Sequence, residues 1–289
     1  MRTAVEPEPR VQELRGFIYG WAWGRGLTSW LVDHIVIDGG PGQAEPWAAL
    51  TALLGRTWPH ASGLRVGLAK LAIDTGFEAP AVYAWARRAG HAQVAAVKGV
   101  DGFARAAPVT GPTYVDATEG GRKLRRGARL WTVAVSTFKG ETYRFLRLAA
   151  PTDEDFAAGT AHPPGYVHLP RGAEAEWLKQ LTAEQLVTVK TRRGFPRLEW
   201  RKTRERNEVL DCRVYARAAA WIVGADRWPD GRWGELERQL ATDTVGTPVD
   251  DGDGSAEEAR GDDAAPAIAA GRVNAGPRRG RRVFRSSYV

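Results

Sequence analysis

Between residues 63 and 148 the chain switches repeatedly between two hydrophobic patterns. "GLRVGLAKLAID" is a mostly apolar run of strand length, and "APAVYAWARRAG" has helical character and closes on Gly90. "HAQVAAVKG" is strand-like again. After a connection, the strand-like "RLWTVAVS" precedes the helical "FKGETYRFLRLAA". Strands that alternate with helices make an α/β domain. Runs apolar on both sides suit a sheet covered on both faces.

The flanking segments extend this pattern. "RGFIYGWAWGRGLTSWLVDHIVIDGG" reads as two strands joined by a Gly-Arg-Gly turn, and "AEPWAALTALLGRTW" reads as helical. Residues 101–128 read as a Gly-rich basic connection, and 150–165 as a loop. "GYVHLP" and a helix around "AEAEWLKQL" follow. "QLVTVKTRRGFPRLEWRKT" reads as a hairpin with a basic tip at Arg192 and Arg193. A helix over 206–222 closes the domain. The expected division is an irregular segment 1–13, one domain 14–224, a short extension 225–242 and a tail 243–289. The tail is acidic, then basic, with too little apolar surface to fold alone, which predicts disorder.

The 289 residues carry 41 Lys and Arg against 34 acids, a net charge of +7, which suits a polyanionic partner. The single Cys excludes an internal disulfide framework and fits a reducing compartment. No apolar run has membrane-spanning length and the start does not read as a signal peptide, so no membrane role is expected. The 12 Trp read chiefly as core and interface packing. The His residues lack zinc-ligand spacing.

Two acids stand out. In "RNEVLDCRVYARAAAWI" a helical wheel gathers Cys212, Tyr215, Ala218, Ala219 and Ile222 on one side and Arg213 with Arg217 on the other. Asp211 and Glu208 fall on the apolar side, where a carboxylate is costly without a partner. Asp74 ends a buried strand, at the carboxyl edge where α/β sheets build their sites. A helix-capping role for Asp74 and an arginine partner for Asp211 are the plainer readings. Brought together, the two carboxylates repel, and a hard divalent cation relieves that. A pair of such ions activates water and stabilises the leaving oxygen in phosphodiester cleavage.

Several stretches, in order, resemble one family. They are "GWAWGRG", "IDTG" (73–76), "VKGV" (97–100), "STFKGETYRFLRL" (136–148), "PGYVHLP" (164–170), "QLTAEQLV" (180–187) and "RNEVLDCRVYA" (206–216). Together they are similar to the C-terminal nuclease domain of the large terminase subunit of lambda-type tailed phages, over roughly residues 10–224. The resemblance implies an RNase H-like α/β fold, an antiparallel meander extended by parallel strands with helices on the faces. It implies a metal-dependent endonuclease that cuts concatemeric DNA during genome packaging in the host cytoplasm. Asp74 and Asp211 match two of the family's metal-binding catalytic acids, with Glu208 as an assisting ligand and Mg²⁺ or Mn²⁺ as the cofactor.

The sequence also departs from the family pattern. An ungapped reading puts Arg10 at the acid of the family's first strand, and Pro7 and Pro9 fall in that strand. Glu6, Glu8 and Glu13 are the nearby acids. Ser136 stands where the family tends to have Asp, and Phe77 where it tends to have a second Gly. No G-x-x-x-x-G-K-[ST] loop occurs, so the chain is not expected to power packaging alone; a split gene product with its ATPase on a separate chain, a prophage remnant, a mis-called start and an excised domain are the open readings. The alternative reading is an impaired nuclease-like module, a prophage remnant or split terminase, that binds DNA or procapsid without cutting. Arg122, Lys123, Arg125, Arg126, Arg192 and Arg193 are candidate contacts to duplex phosphates. The family's partners are the small terminase subunit, which supplies sequence choice, and the portal of the procapsid, reached here through "RRVFRSSYV" (281–289).

Overall fold

The computed structural model describes residues 15–241. In chain order the elements are β1 (Arg15–Trp23), β2 (Ser29–Asp38), α1 (Glu45–Leu54), β3 (Thr57–Pro59), β4 (Arg65–Gly67), β5 (Leu71–Asp74), α2 (Ala79–Ala89), β6 (Val94–Val100) and β7 (Val109–Glu119). They continue with β8 (Arg122–Ala134), α3 (Val135–Phe145), α4 (Asp153–Ala157), β9 (Val167–His168), α5 (Ala175–Leu181), β10 (Glu184–Lys190), β11 (Pro196–Lys202), α6 (Glu208–Val223) and α7 (Asp230–Ala241). The expectations for Pro7, Pro9 and Arg10, and for the 243–289 tail, fall outside the described residues.

The mixed α/β class is as the alternation predicts. Four strands form a sheet in the order β5-β6-β8-β7, with β5, β6 and β8 parallel and β7 antiparallel. Strand β6 shows why both faces are apolar. Its period of two sends Val94 and Ala96 toward Val82, Trp85 and Ala86 of α2. Ala95 and Val97 go the other way, into a core with Phe138 of α3 and Val214 and Ala218 of α6.

The second sheet is the antiparallel β1–β2 pair with the short β9 parallel to β2. Phe17, Tyr19 and Trp21 of β1 pack on Trp177 and Leu181 of α5 and on Val209 and Cys212 of α6. Helix α6 is thus the shared element: it packs against β1, β5, α3 and α5. Among the described residues the antiparallel part has two long strands rather than a three-strand meander, and it shares no ladder with β5.

Three expectations are corrected. "GLRVGLAKLAID" is not one strand. Its first half pairs back on β3 as β4, its second half joins β6 as β5, and Lys70 between them donates to the carbonyls of His91 and Ala92. Residues 101–128 are no mere connection. Strands β7 and β8 form a long hairpin closed by Gly120-Gly121, whose φ values of 56° and 76° are those a two-residue hairpin turn needs. The 150–165 loop contains α4, started by a Thr152/Asp155 capping box.

The wheel of α6 fails in one respect. Arg213 and Arg217, on the side opposite the apolar stripe, are 1% and 2% exposed. The Arg213 guanidinium lies 4.0 Å from the Trp21 ring centre and 4.5 Å from that of Trp23. Arg217 stacks near Trp23 and Phe138 and pairs with Glu141 at 2.5 Å and with Asp226. Aromatic faces accept a guanidinium, so the tryptophans bury this charge instead of excluding it. Beyond α6, Ala225–Arg227 form a 3-10 turn and α7 folds back, where Arg25 binds Asp230 at 2.6 Å and Glu237 at 2.8 Å.

Candidate functional site

Asp74 is the last residue of β5, exposed at the carboxyl edge of the parallel strands. Thr75 fixes the turn after it: its amide and hydroxyl both donate to the Val97 carbonyl, each at 2.9 Å. Gly76 lets the carboxylate fold over the turn, since a Cβ there would meet Asp74 Oδ2 at 2.8 Å. Asp74 is not a helix cap, because α2 takes Glu78 as its N-cap.

Asp211 lies in the first turn of α6, half-buried. Asn207, which precedes the helix, donates from Nδ2 to Asp211 Oδ2 at 3.0 Å. The Lys139 ammonium of α3 stands 3.9 Å from Asp211 Oδ1. One turn further along α6, the Tyr215 hydroxyl donates to Asp74 Oδ1 at 3.1 Å. Gly99 on β6 makes room for this, because a Cβ there would meet that hydroxyl at 2.8 Å. The same helix therefore presents one acid and tethers the other.

Charge at the site is unbalanced. Burial pushes the Asp211 carboxyl above the usual carboxylate range. Lys139 and Lys202 oppose that, while the charges of Glu184 and Asp74 add to it. Burial also raises the Tyr215 phenol, with the Asp74 charge next in weight. The Cys212 thiol is pushed up to about 12, chiefly by burial, which leaves it unreactive.

Both acids line one cavity of about 1290 Å³. Its walls include every residue over 16–25 and over 66–74, so it runs along the edges of β1 and β5 that carry no ladder among the described residues, between the two sheets. Glu208 lines it too. Its Oε2 is buried, accepts no hydrogen bond among the described residues, and lies 3.4 Å from Arg206 Nε. Among the described residues no three His, Cys, Asp or Glu side chains converge as a metal cage. Asp74, Asp211 and Glu208 thus share the cavity, with Glu208 beside Arg206.

The basic candidates separate into two places. Arg122, Lys123, Arg125 and Arg126 are exposed at the start of β8. Asp74 pairs with Val97, and Val97 with Trp131 near the other end of β8. At about 3.3 Å per residue, Arg122 lies roughly 30 Å from the row of the acid. There Lys123 pairs with Asp116, and Arg126 and Arg129 flank the Tyr114 ring. The β10–β11 hairpin, by contrast, has its base at the site. Glu184 opens it and Lys202, which acts on Asp211, closes it. Its exposed tip carries Arg192, Arg193 and Phe195, the last 67% exposed.

Sequence reasoning passed over Lys139, Glu184, Asn207 and Tyr215 as site residues. Each sits inside a quoted stretch: "STFKGETYRFLRL", "QLTAEQLV" and "RNEVLDCRVYA". Their place inside those stretches was the available signal. Ser136 is buried and receives the Gly102 amide at 2.9 Å, a loop-holding role with no charge.

Residues 11–233 match the model of the family described as terminase large subunit gpA, endonuclease domain. The chain belongs to that family. Over 218 residues it is 31% identical to the terminase large subunit of Enterobacteria phage P21, covering 75% of this chain and 32% of that protein. Over 212 residues it is 29% identical to the terminase large subunit of Escherichia phage lambda, covering 72% of this chain and 30% of that one. The chain thus spans about a third of the length of these terminase relatives. No solved structure matches it. Among the described residues no helix is long and apolar enough to cross a membrane.

Proposed function

We propose that the chain carries the DNA-cutting site of a terminase large subunit, a divalent-cation-dependent phosphodiester hydrolase with Asp74 and Asp211 as its ligands. One observation carries this reading: α6 presents Asp211, whose charge burial disfavours, and tethers Asp74 at the edge of the same cavity. The donors are hard oxygens, which fit Mg²⁺ or Mn²⁺. Mg²⁺ needs only one or two carboxylates when phosphate oxygens and water complete its shell. A cation pair held there supplies a polarised water and a counter-charge for the leaving oxygen. Asn207 fixes Asp211, Tyr215 fixes Asp74, and Lys202 with the β10–β11 tip draws in the phosphate backbone.

In this reading the fold is RNase H-like, which the antiparallel pair, the parallel strands and the two helical faces support. The substrate is duplex phage DNA in concatemers. The small subunit supplies sequence choice, an ATPase unit supplies force, and residues 281–289 engage the procapsid. The test is cleavage of supercoiled plasmid. Nicking should require Mg²⁺ or Mn²⁺ and stop in Asp74→Asn and Asp211→Asn. Equal nicking by Asp211→Asn would make that residue structural.

A second reading, DNA or procapsid binding without cutting, is favoured by the lack of a third converging acid among the described residues. It predicts plasmid binding with no nicking at any Mn²⁺ concentration. It also predicts that Arg10→Asp, which restores the acid the family carries in its first strand, switches nicking on.

A further inference from the structure

Behind Asp211 lies a charged pair that the metal reading leaves without a role. Lys139 on α3 is 7% exposed and Glu184 at the head of β10 is 5% exposed. The Lys139 ammonium is 2.8 Å from each Glu184 carboxylate oxygen. Burying two charges is costly, and apolar residues of similar volume commonly serve stability as well or better. The position of the pair is more informative than its strength. Lys139 stands between two carboxylates and hydrogen-bonds only one of them, with Asp211 Oδ1 left at 3.9 Å.

Glu184 is itself pinned. Its Oε1 accepts from Asn207 Nδ2 at 2.9 Å, and its amide donates to the Tyr143 hydroxyl at 3.0 Å. The same Asn207 amide group donates to Asp211 Oδ2. Asn207 thus holds the two carboxylates a fixed distance apart, and Glu184 holds the ammonium on its own side of that gap.

We propose that Glu184 is a positioning residue that keeps the Lys139 ammonium off Asp211, so that Oδ1 of Asp211 stays open to a divalent cation. This rests on the reading of Asp211 as a ligand. An ammonium is a compact charge with three rotatable donors, so it pairs with whichever carboxylate is nearest. Without the Glu184 charge that carboxylate is Asp211, and Lys139 then occupies the oxygen the cation needs.

The experiment compares the parent with two variants in the full chain. Glu184→Gln keeps the volume and an oxygen acceptor for Asn207 but removes the charge. Its crystal structure should show Lys139 Nζ within hydrogen-bond distance of Asp211. Its Mn²⁺ affinity by calorimetry should fall about 10- to 100-fold, the usual effect of losing an outer-shell partner. Adding Lys139→Met should restore most of that affinity. A Glu184 with a merely structural role predicts the opposite, a double variant no better than Glu184→Gln. Lys139 remaining on residue 184 in the variant structure overturns the proposal, as does failure of Lys139→Met to restore binding. If Glu184→Gln does not fold, the neutral double variant decides: affinity near the parent's supports the proposal, and a loss above about tenfold overturns it. Parent protein that binds no Mn²⁺ removes the metal reading of Asp211 and the proposal with it, whereas Mn²⁺ binding by the parent with undiminished affinity in Glu184→Gln overturns the proposal alone.

Discussion

The Tyr215 hydroxyl of α6 donates to Asp74 Oδ1 at the end of β5, 3.1 Å away, and so ties the strand acid to the helix that carries Asp211. Tyr215→Phe removes only that donor. A lost outer-shell hydrogen bond predicts a drop in kcat of about 10- to 100-fold with little change in the KM for DNA. Gly99→Ala should do the same by another route, since its Cβ would meet the Tyr215 hydroxyl at 2.8 Å and Val135 Cγ1 at 2.9 Å. Steady-state nicking kinetics of both variants check this.

Asp211 predicts a pH signature. Burial places its folded pKa above the unfolded value, so ionising it costs more in the folded chain than in the unfolded one. The neutral form's advantage is present below the ordinary Asp value of about 3.9 and is lost as pH rises through the folded value. In EDTA, Asp211→Asn should therefore raise Tm at pH 7, and the gain should vanish at about pH 3.5. The Asn carbonyl can still accept from Asn207. Thermal melts at the two pH values measure this, and an equal gain at both would refute the assignment.

The two buried arginines should behave differently. Arg217 neutralises Glu141 and Asp226, so Arg217→Met strands two partly buried acids and should cost up to about 3–5 kcal/mol. Arg213 makes one hydrogen bond, to Ser29 at 2.9 Å, and its Nε and Nη1 have no partner among the described residues. Burial brings its pKa down to about 9. Arg213→Met keeps the stem against Trp21 and Trp23 and should cost no more than about 1 kcal/mol. Urea denaturation of both variants tests the contrast.

The hairpins divide DNA binding. Arg192→Ala with Arg193→Ala should lower the slope of log affinity against log salt by about 2, one for each lost phosphate contact. Because the base of β10–β11 adjoins Asp211, the same change should raise the KM for cleavage. Arg122→Ala with Lys123→Ala, roughly 30 Å from the acids, should leave the kcat of nicking unchanged. Salt-dependent binding isotherms and nicking kinetics separate the two hairpins.

Local pattern made part of this legible. The period of two in "VAAV", the helix of "AVYAWARRAG" closed by Gly90, and an acid ending an apolar strand are readable along the chain. What the sequence concealed depends on distant partners. Lys139 and Glu184 are 45 residues apart, and Glu184 and Asn207 are 23 apart, so no window contains the network around Asp211. The burial of Arg213 and Arg217 was hidden because a wheel scores charge without knowing that Trp21, Trp23 and Phe138 lie opposite. The β7–β8 hairpin was missed because its basic residues outweighed the alternation beneath them.

The central claim is that Asp74 and Asp211 bind one and the same cation. Anomalous diffraction from crystals grown with Mn²⁺ tests it most directly. The account predicts a peak within about 2.0–2.6 Å of a carboxylate oxygen of each residue, lost in Asp211→Asn. A Mn²⁺ peak elsewhere, or none at a concentration that supports nicking, would contradict it.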